Sequence, residues 1–175
     1  MKLLQKYFLP TSYVENFELI TPRVLKEMNV KAVLTDLDNT LIGYDEPQAN
    51  EAVIRWFEML NEHDIKVTIV SNGNKVRVSE FCNPHEIDYI YSARKPLSKS
   101  YRKAVRLMGV GIEDTVMIGD QLMTDVLGAN RINMKSILVI PVKNKDGMAT
   151  YLNRRAEKFI MGFFNRRGLL SKEDE

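Results

Sequence analysis

Five short apolar runs rich in β-branched residues alternate with stretches of helical period, and this alternation limits the chain to few architectures. The runs are Val30 to Thr35, Ile65 to Val70, Asp88 to Tyr91, Asp114 to Ile118 and Ser136 to Ile140. Between them lie residues 47–63, 75–82, 98–108 and 124–130. In the first of these, Val53, Ile54, Phe57 and Leu60 share a helical face, with Pro47 as the expected starter. Strands and helices at this spacing build βαβ units, hence a parallel sheet covered on both faces. The sequence thus predicts an α/β fold of three layers, α/β/α.

The length and the apolar content set the scale. With 175 residues, 45% of them hydrophobic, the chain has material for one globular domain and little more. We divide it into a lead-in over 1–29, a core over 30–141 and a basic C-terminal appendage over 142–175. One cysteine, Cys82, excludes an internal disulfide and fits a reducing cytoplasm. His63 and His85 stand apart from any ligand cluster, which argues against zinc. A net charge of +2 argues against a dedicated nucleic-acid partner. No apolar run approaches the roughly 20 residues of a membrane span, and the N-terminus lacks the pattern of a signal peptide.

The chemistry concentrates where strands stop. Asp36-Leu37-Asp38-Asn39-Thr40 follows the first strand, Ser71-Asn72-Gly73 the second, and Gly119-Asp120 the fourth. A parallel sheet gathers the loops at its carboxyl ends, and ligands bind there. Two carboxylates one residue apart point the same way along an extended chain. Asp36 can attack phosphorus and form an aspartyl phosphate. Asp38 can protonate the leaving oxygen and then take a proton from the hydrolytic water. Phosphate and carboxylates repel each other, so a cation is required, and Mg²⁺ takes such oxygen ligands. Asp120 supplies a further carboxylate, and Asp125 is placed to help as a ligand or as a partner of one. Ser71 and Asn72 offer donors to phosphate oxygens, Thr40 belongs to the same loop, and Lys95 offers positive charge where negative charge accumulates.

The ordered set of Asp36-x-Asp38-x-Thr40, Ser71, Lys95 and Gly119-Asp120 with Asp125 resembles the haloacid dehalogenase (HAD) superfamily over residues 30–141. The residues around Asp36 and around Asp120 look like its subclass IIIA. The opening Phe8-Leu9-Pro10 with Tyr13 looks like the YqeG group of bacterial phosphatases, which is similar to the mitochondrial phosphatidylglycerophosphate phosphatases. The resemblance implies a Rossmann-like fold with five parallel strands in the order 5-4-1-2-3. It implies Mg²⁺ held by Asp36, Asp120 and Asp125 with the backbone carbonyl of Asp38, and a phosphorylated substrate. No cap domain is expected: Leu41 to Glu46 is too short to hold one, and one helix and one strand fill Ser71 to Lys95.

Other readings remain open at this level. Asp36 and Asp38 could form a solvated turn or a nucleotide-sugar metal site, Lys95 could be a surface lysine, and Asp125 could be a helix N-terminal charge. A phospho-accepting receiver shares the sheet, but its acceptor Asp ends a later strand, where this chain has Ser-Asn-Gly. A non-enzymatic assembly factor on a phosphatase scaffold is a further alternative. Residues 148–165 form an amphipathic helix with Leu152, Ala156, Phe159, Ile160 and Phe163 on one face and Arg154, Arg155 and Lys158 elsewhere. That stripe could lie on the inner face of the membrane, beside a phospholipid substrate. It could equally pack on the sheet or in a homo-oligomer.

Overall fold

The strand that carries the first motif lies inside the sheet. β2 (Ala32–Thr35) is buried at all four positions, as a run without polar alternation requires of a strand covered on both faces. Its neighbours are β3 (Lys66–Val70) and β5 (Thr115–Gly119), both parallel to it, with Leu34 opposite Thr68 on one side and Met117 on the other. The computed structural model describes residues 2–143 and 148–170, the backbone alone over 148–154.

The expected five-stranded sheet is corrected to six strands, in the order β1-β6-β5-β2-β3-β4. β4 is Asp88–Ile90 and β6 is Lys135–Val139. The additional strand, β1 (Ser12–Val14), comes from the lead-in and pairs with β6 through Tyr13 opposite Leu138. Three residues are too few to display a period of two, so tertiary pairing alone reveals this strand.

Side chains leave each strand alternately, which divides the core in two. Val33, Val116 and Ile118 join one cluster with Val53, Trp56 and Leu60 of α3 (Glu51–Glu62) and with Val78 and Phe81 of α4 (Lys75–Cys82). Ala32, Leu34 and Met117 face the other way. They pack on Tyr101, Ala104 and Met108 of α5 (Ser98–Met108) and on Ala129 of α6 (Leu127–Asn130). The lead-in also carries α1 (Lys2–Phe8) and α2 (Pro22–Glu27). It is tied to the first cluster by Trp56, whose indole N–H donates to the Ile20 carbonyl at 2.9 Å and whose ring meets Phe17 edge-on.

Two helices differ from the expected bounds. α3 starts at Glu51 rather than after Pro47, because the Asn50 side chain accepts the Val53 N–H at 3.0 Å and so caps the first turn. The helix expected over 124–130 is a wider π turn, Leu122–Val126, followed by the short α6.

The C-terminal helix, α7 (Met148–Arg166), packs on the protein's own core. Ile160 and Phe164 join Leu122 and Val126 of the π turn and Leu138 of β6, with Leu4, Phe8 and Leu9 at the margin. Of the expected stripe, Ile160 is buried, Phe163 is half-buried, and Ala156 and Phe159 are exposed, Phe159 at 70%. The Leu152 and Arg154 side chains lie outside the described residues. Among the described residues no helix is long and apolar enough to cross a membrane.

Phe164 is fully buried in this third cluster, directly behind the π turn. Phe164→Ala is expected to destabilise the fold by about 3–5 kcal/mol, the usual cost of emptying a buried aromatic site. Urea unfolding followed by Trp56 fluorescence measures it.

Candidate active site

The loop after β2 is built to hold two carboxylates over an apolar floor. The Asp36 N–H still donates to the Ile118 carbonyl at 2.9 Å, so Asp36 prolongs the sheet by one residue. The chain then folds back. The Leu37 carbonyl accepts the Leu41 N–H at 3.1 Å, and the Asn39 N–H donates to the Ile42 carbonyl at 2.7 Å. Asn39 adopts a φ of 64°, a region that asparagine tolerates better than most residues. Leu37, Leu41 and Ile42 are buried beneath the turn, so Asp36 and Asp38 face away from the core.

The neighbouring loops are joined to one another. The Ser71 Oγ accepts the Gly73 N–H at 3.0 Å, and the Ala93 N–H donates to the Ser71 carbonyl at 2.9 Å. The Asn72 side chain reaches the backbone of Lys95: its Oδ1 accepts the Lys95 N–H at 2.7 Å and its Nδ2 stands 3.5 Å from the Lys95 carbonyl. Asn72 thus braces the lysine loop, whereas the sequence reading gave its amide to phosphate oxygens. From this loop Lys95 extends inward with its side chain 1% exposed. Its Nζ lies 2.8 Å from Asp36 Oδ1 and 2.7 Å from Asp125 Oδ1.

Beyond β5 the π turn swings Asp125 back under the strand end. Its Oδ2 accepts the Gln121 N–H at 3.1 Å. A Cβ on Gly119 would collide with the Asp125 carboxyl group, so only glycine lets this side chain cross the strand end. The same holds at Gly128, where a Cβ would strike Tyr101, whose hydroxyl donates to the Thr124 carbonyl at 2.9 Å. Thr40 Oγ1 donates to Asp120 Oδ1 at 3.3 Å and so ties the first loop to the fourth.

Asp36, Asp120 and Asp125 are all buried, and each offers a carboxylate oxygen within 4.8 Å of the others. These three residues can hold a metal ion. Burial acts to lower the Lys95 pKa, but the Asp125 and Asp36 carboxylates outweigh it and hold the ammonium charged. Burial pushes the Asp125 carboxyl upward, and the Lys95 ammonium pulls it back. Three buried carboxylates so close together repel one another, and a cation held among them relieves that repulsion. Asp38 is only partly buried. Burial raises its pKa, and the Arg77 guanidinium, with Nε at 3.1 Å and Nη2 at 2.8 Å from Oδ1, opposes the rise.

The structure therefore brings Asp36, Asp38, Thr40, Ser71, Asn72, Lys95, Asp120 and Asp125 to one edge of the sheet. Two residues escaped the sequence reading. Arg77 lies in the first turn of α4, which carries Lys75 and Arg77 and no acid. Cations are disfavoured at that end of a helix, so a carboxylate partner was the signal to look for. Glu157 is an acid in the otherwise basic stretch of Arg154, Arg155 and Lys158. It is buried, and it accepts the Met123 N–H at 3.0 Å, which braces the π turn from α7.

Comparison with known proteins agrees with this geometry. Residues 92–157, which include Lys95 and the segment from Gly119 to Asp125, match the HAD-hydrolase-like family. The chain is 51% identical over 172 residues to the Bacillus subtilis (strain 168) protein named "Probable phosphatase YqeG", covering 98% of this chain and 100% of that one. It is 26% identical over 151 residues to a glyceraldehyde 3-phosphate phosphatase of Pyrococcus abyssi, covering 78% of this chain and 61% of that protein's length. Among solved structures, an HAD phosphatase from Thermococcus onnurineus shares the fold with a TM-score of 0.51 at 19% identity, over 68% of this chain and 90% of that one. With half of its residues shared with a full-length relative, and with the buried acidic cluster at the sheet edge, the chain belongs to the HAD-like hydrolases and is a phosphatase of the YqeG family.

Proposed function

We propose that this phosphatase hydrolyses phosphomonoesters through an aspartyl phosphate on Asp36, with Mg²⁺ as its metal. The observation that carries the reading is the buried set of Asp36, Asp120 and Asp125, whose carboxylate oxygens lie within 4.8 Å of one another, with the Lys95 ammonium against Asp36 and Asp125. Such a cluster of carboxylates suits a divalent cation, and its all-oxygen donor set suits Mg²⁺. The carboxylates of the three residues would hold the ion, with the backbone carbonyl of Asp38. When bound, the ion neutralises the phosphoryl oxygens that would otherwise be repelled by the carboxylates.

The residues divide the remaining chemistry. The Asp36 carboxylate attacks phosphorus while the bond to the leaving oxygen breaks, and Asp38 gives that oxygen its proton. Asp38 then takes a proton from the water that attacks the aspartyl phosphate, which releases phosphate and restores Asp36. Lys95 holds Asp36 with one N–H and leaves positive charge beside the transferring group. The Ser71 hydroxyl, oriented by the Gly73 N–H, can donate its proton to a phosphoryl oxygen. Thr40 and Asn72 keep the loops in register.

We further infer an open site and a substrate too bulky for a closed one, with phosphatidylglycerophosphate as the named candidate. Residues 36–50 hold no helix or regular strand of their own, and residues 71–87 hold only α4 and a short 3-10 turn. Neither segment has material for a lid. Among the described residues of α7, the exposed Phe159 is a large apolar side chain available to a membrane surface, while Ile160 and Phe164 face inward. The second reading is a small soluble phosphomonoester, favoured by the similarity to glyceraldehyde 3-phosphate phosphatases.

Three measurements test these assignments. Asp36→Asn preserves the shape and removes the nucleophile, so phosphate release should fall by several orders of magnitude; near-normal turnover would defeat the mechanism. Asp38→Asn should lower turnover by about 10²- to 10⁴-fold while calorimetry still detects Mg²⁺ binding; loss of binding would make its side chain a ligand. Phosphate release from phosphatidylglycerophosphate in detergent should exceed that from glyceraldehyde 3-phosphate at equal concentration, and the reverse order would favour the soluble substrate.

A further inference from the structure

We infer that Arg77 is a positioning residue: it holds Asp38 by one oxygen, Oδ1, so that the other, Oδ2, handles the proton. This rests on the proposed chemistry of Asp38. Both hydrogen bonds from the guanidinium, through Nε and Nη2, converge on Oδ1. Oδ2 carries neither of these contacts and lies near the start of the same segment, 3.6 Å from the point where a Cβ on Gly73 would stand. One carboxylate oxygen is thus anchored, and the other is turned toward the Ser71 loop.

The anchor is itself fixed. The backbone N–H of Arg77 donates to the Asn74 side chain at 3.0 Å, and Val78 next to it is fully buried in the core. The Ser71–Gly73 hydrogen bond sets the start of the same segment. The guanidinium and the Asp38 side chain are 17% and 21% exposed, so this pair is screened far less than a surface pair. Two donors from one rigid, planar guanidinium hold this oxygen in place more firmly than the flexible ammonium of a lysine would. A proton donor must meet the leaving oxygen within hydrogen-bond reach, and a displacement of about 1 Å can cost about 100-fold in rate.

The proton and the bonds balance in both half-reactions. Oδ2–H passes its proton to the leaving oxygen as the bond from phosphorus to that oxygen breaks and the bond from phosphorus to Asp36 forms. Oδ2 then takes a proton from water as the water oxygen bonds to phosphorus and the Asp36 carboxylate departs.

Leaving-group dependence tests the role. Phenyl phosphate needs a proton on its leaving oxygen far more than p-nitrophenyl phosphate does. Arg77→Ala should lower kcat on phenyl phosphate by about 10- to 100-fold, with KM changed less than kcat. The first-turnover release of p-nitrophenolate should stay close to the wild-type rate and appear as a burst, because the second half-reaction, which also needs Asp38, is slowed. Arg77→Lys keeps the charge and loses the fork, so it should show the same dependence to a smaller degree; it also carries the test if the alanine variant fails to fold. Equal losses in first-turnover rate on both esters would mean that Arg77 binds the phosphoryl group instead. Unchanged kinetics, or full recovery in Arg77→Lys, would also overturn the inference. If the wild-type protein releases phosphate from neither ester, the failure lies in the proposed phosphatase chemistry, and the inference falls with it.

Discussion

Lys95 brings one positive charge to a place where no water screens it, with Asp36 at 2.8 Å and Asp125 at 2.7 Å. Taking such ions out of water costs several kcal/mol each, and they persist only when their partners are held in good geometry. Much of the surrounding structure supplies that hold. Asn72 fixes the backbone from which Lys95 extends, and the sheet fixes Asp36 through Ile118. Gly119 clears the space that Asp125 occupies, and the Gln121 N–H orients it. The carboxylates of Asp36, Asp120 and Asp125 remain crowded within 4.8 Å of one another, an arrangement that suits a metal ion.

The termini contribute to the same site from behind. α1 and α7 pack on the π turn that carries Asp125, and Glu157 caps that turn at the Met123 N–H. The hydrophobic face of α7 is therefore spent largely on intramolecular packing, and a segment that reads as an appendage instead supports a metal-binding candidate. Among the described residues of that stripe, Ala156 and Phe159 are exposed.

The open edge and the second cation beside Asp38 distinguish the outer part of the site from the inner part. Inside, the carboxylates and Lys95 are almost fully buried and rigidly paired. At the mouth, Arg77 and Asp38 keep partial contact with solvent, as the proposed acid and base role of Asp38 requires.

Much was legible in the sequence because strand periodicity and the residue at each strand end are local properties. Apolar runs located five of the six strands, β2 to β6. The rule that a parallel sheet gathers its carboxyl-end loops brings Asp36, Asp38, Ser71 and Asp120 together from the sequence alone. Three-residue β1 was invisible because its only reason to be a strand is the edge of β6. The Asn72–Lys95 clasp, the Arg77–Asp38 fork and the buried Glu157 were equally hidden, since each joins residues 20 or more positions apart. The same amphipathic stripe on α7 was compatible with lipid, a partner or the chain's own core, because a periodic pattern says that a face is apolar and not what covers it. Local chemistry set which groups stand at the strand ends; only packing decided which oxygen each one touches, because that choice depends on distances between segments that the order of residues does not contain.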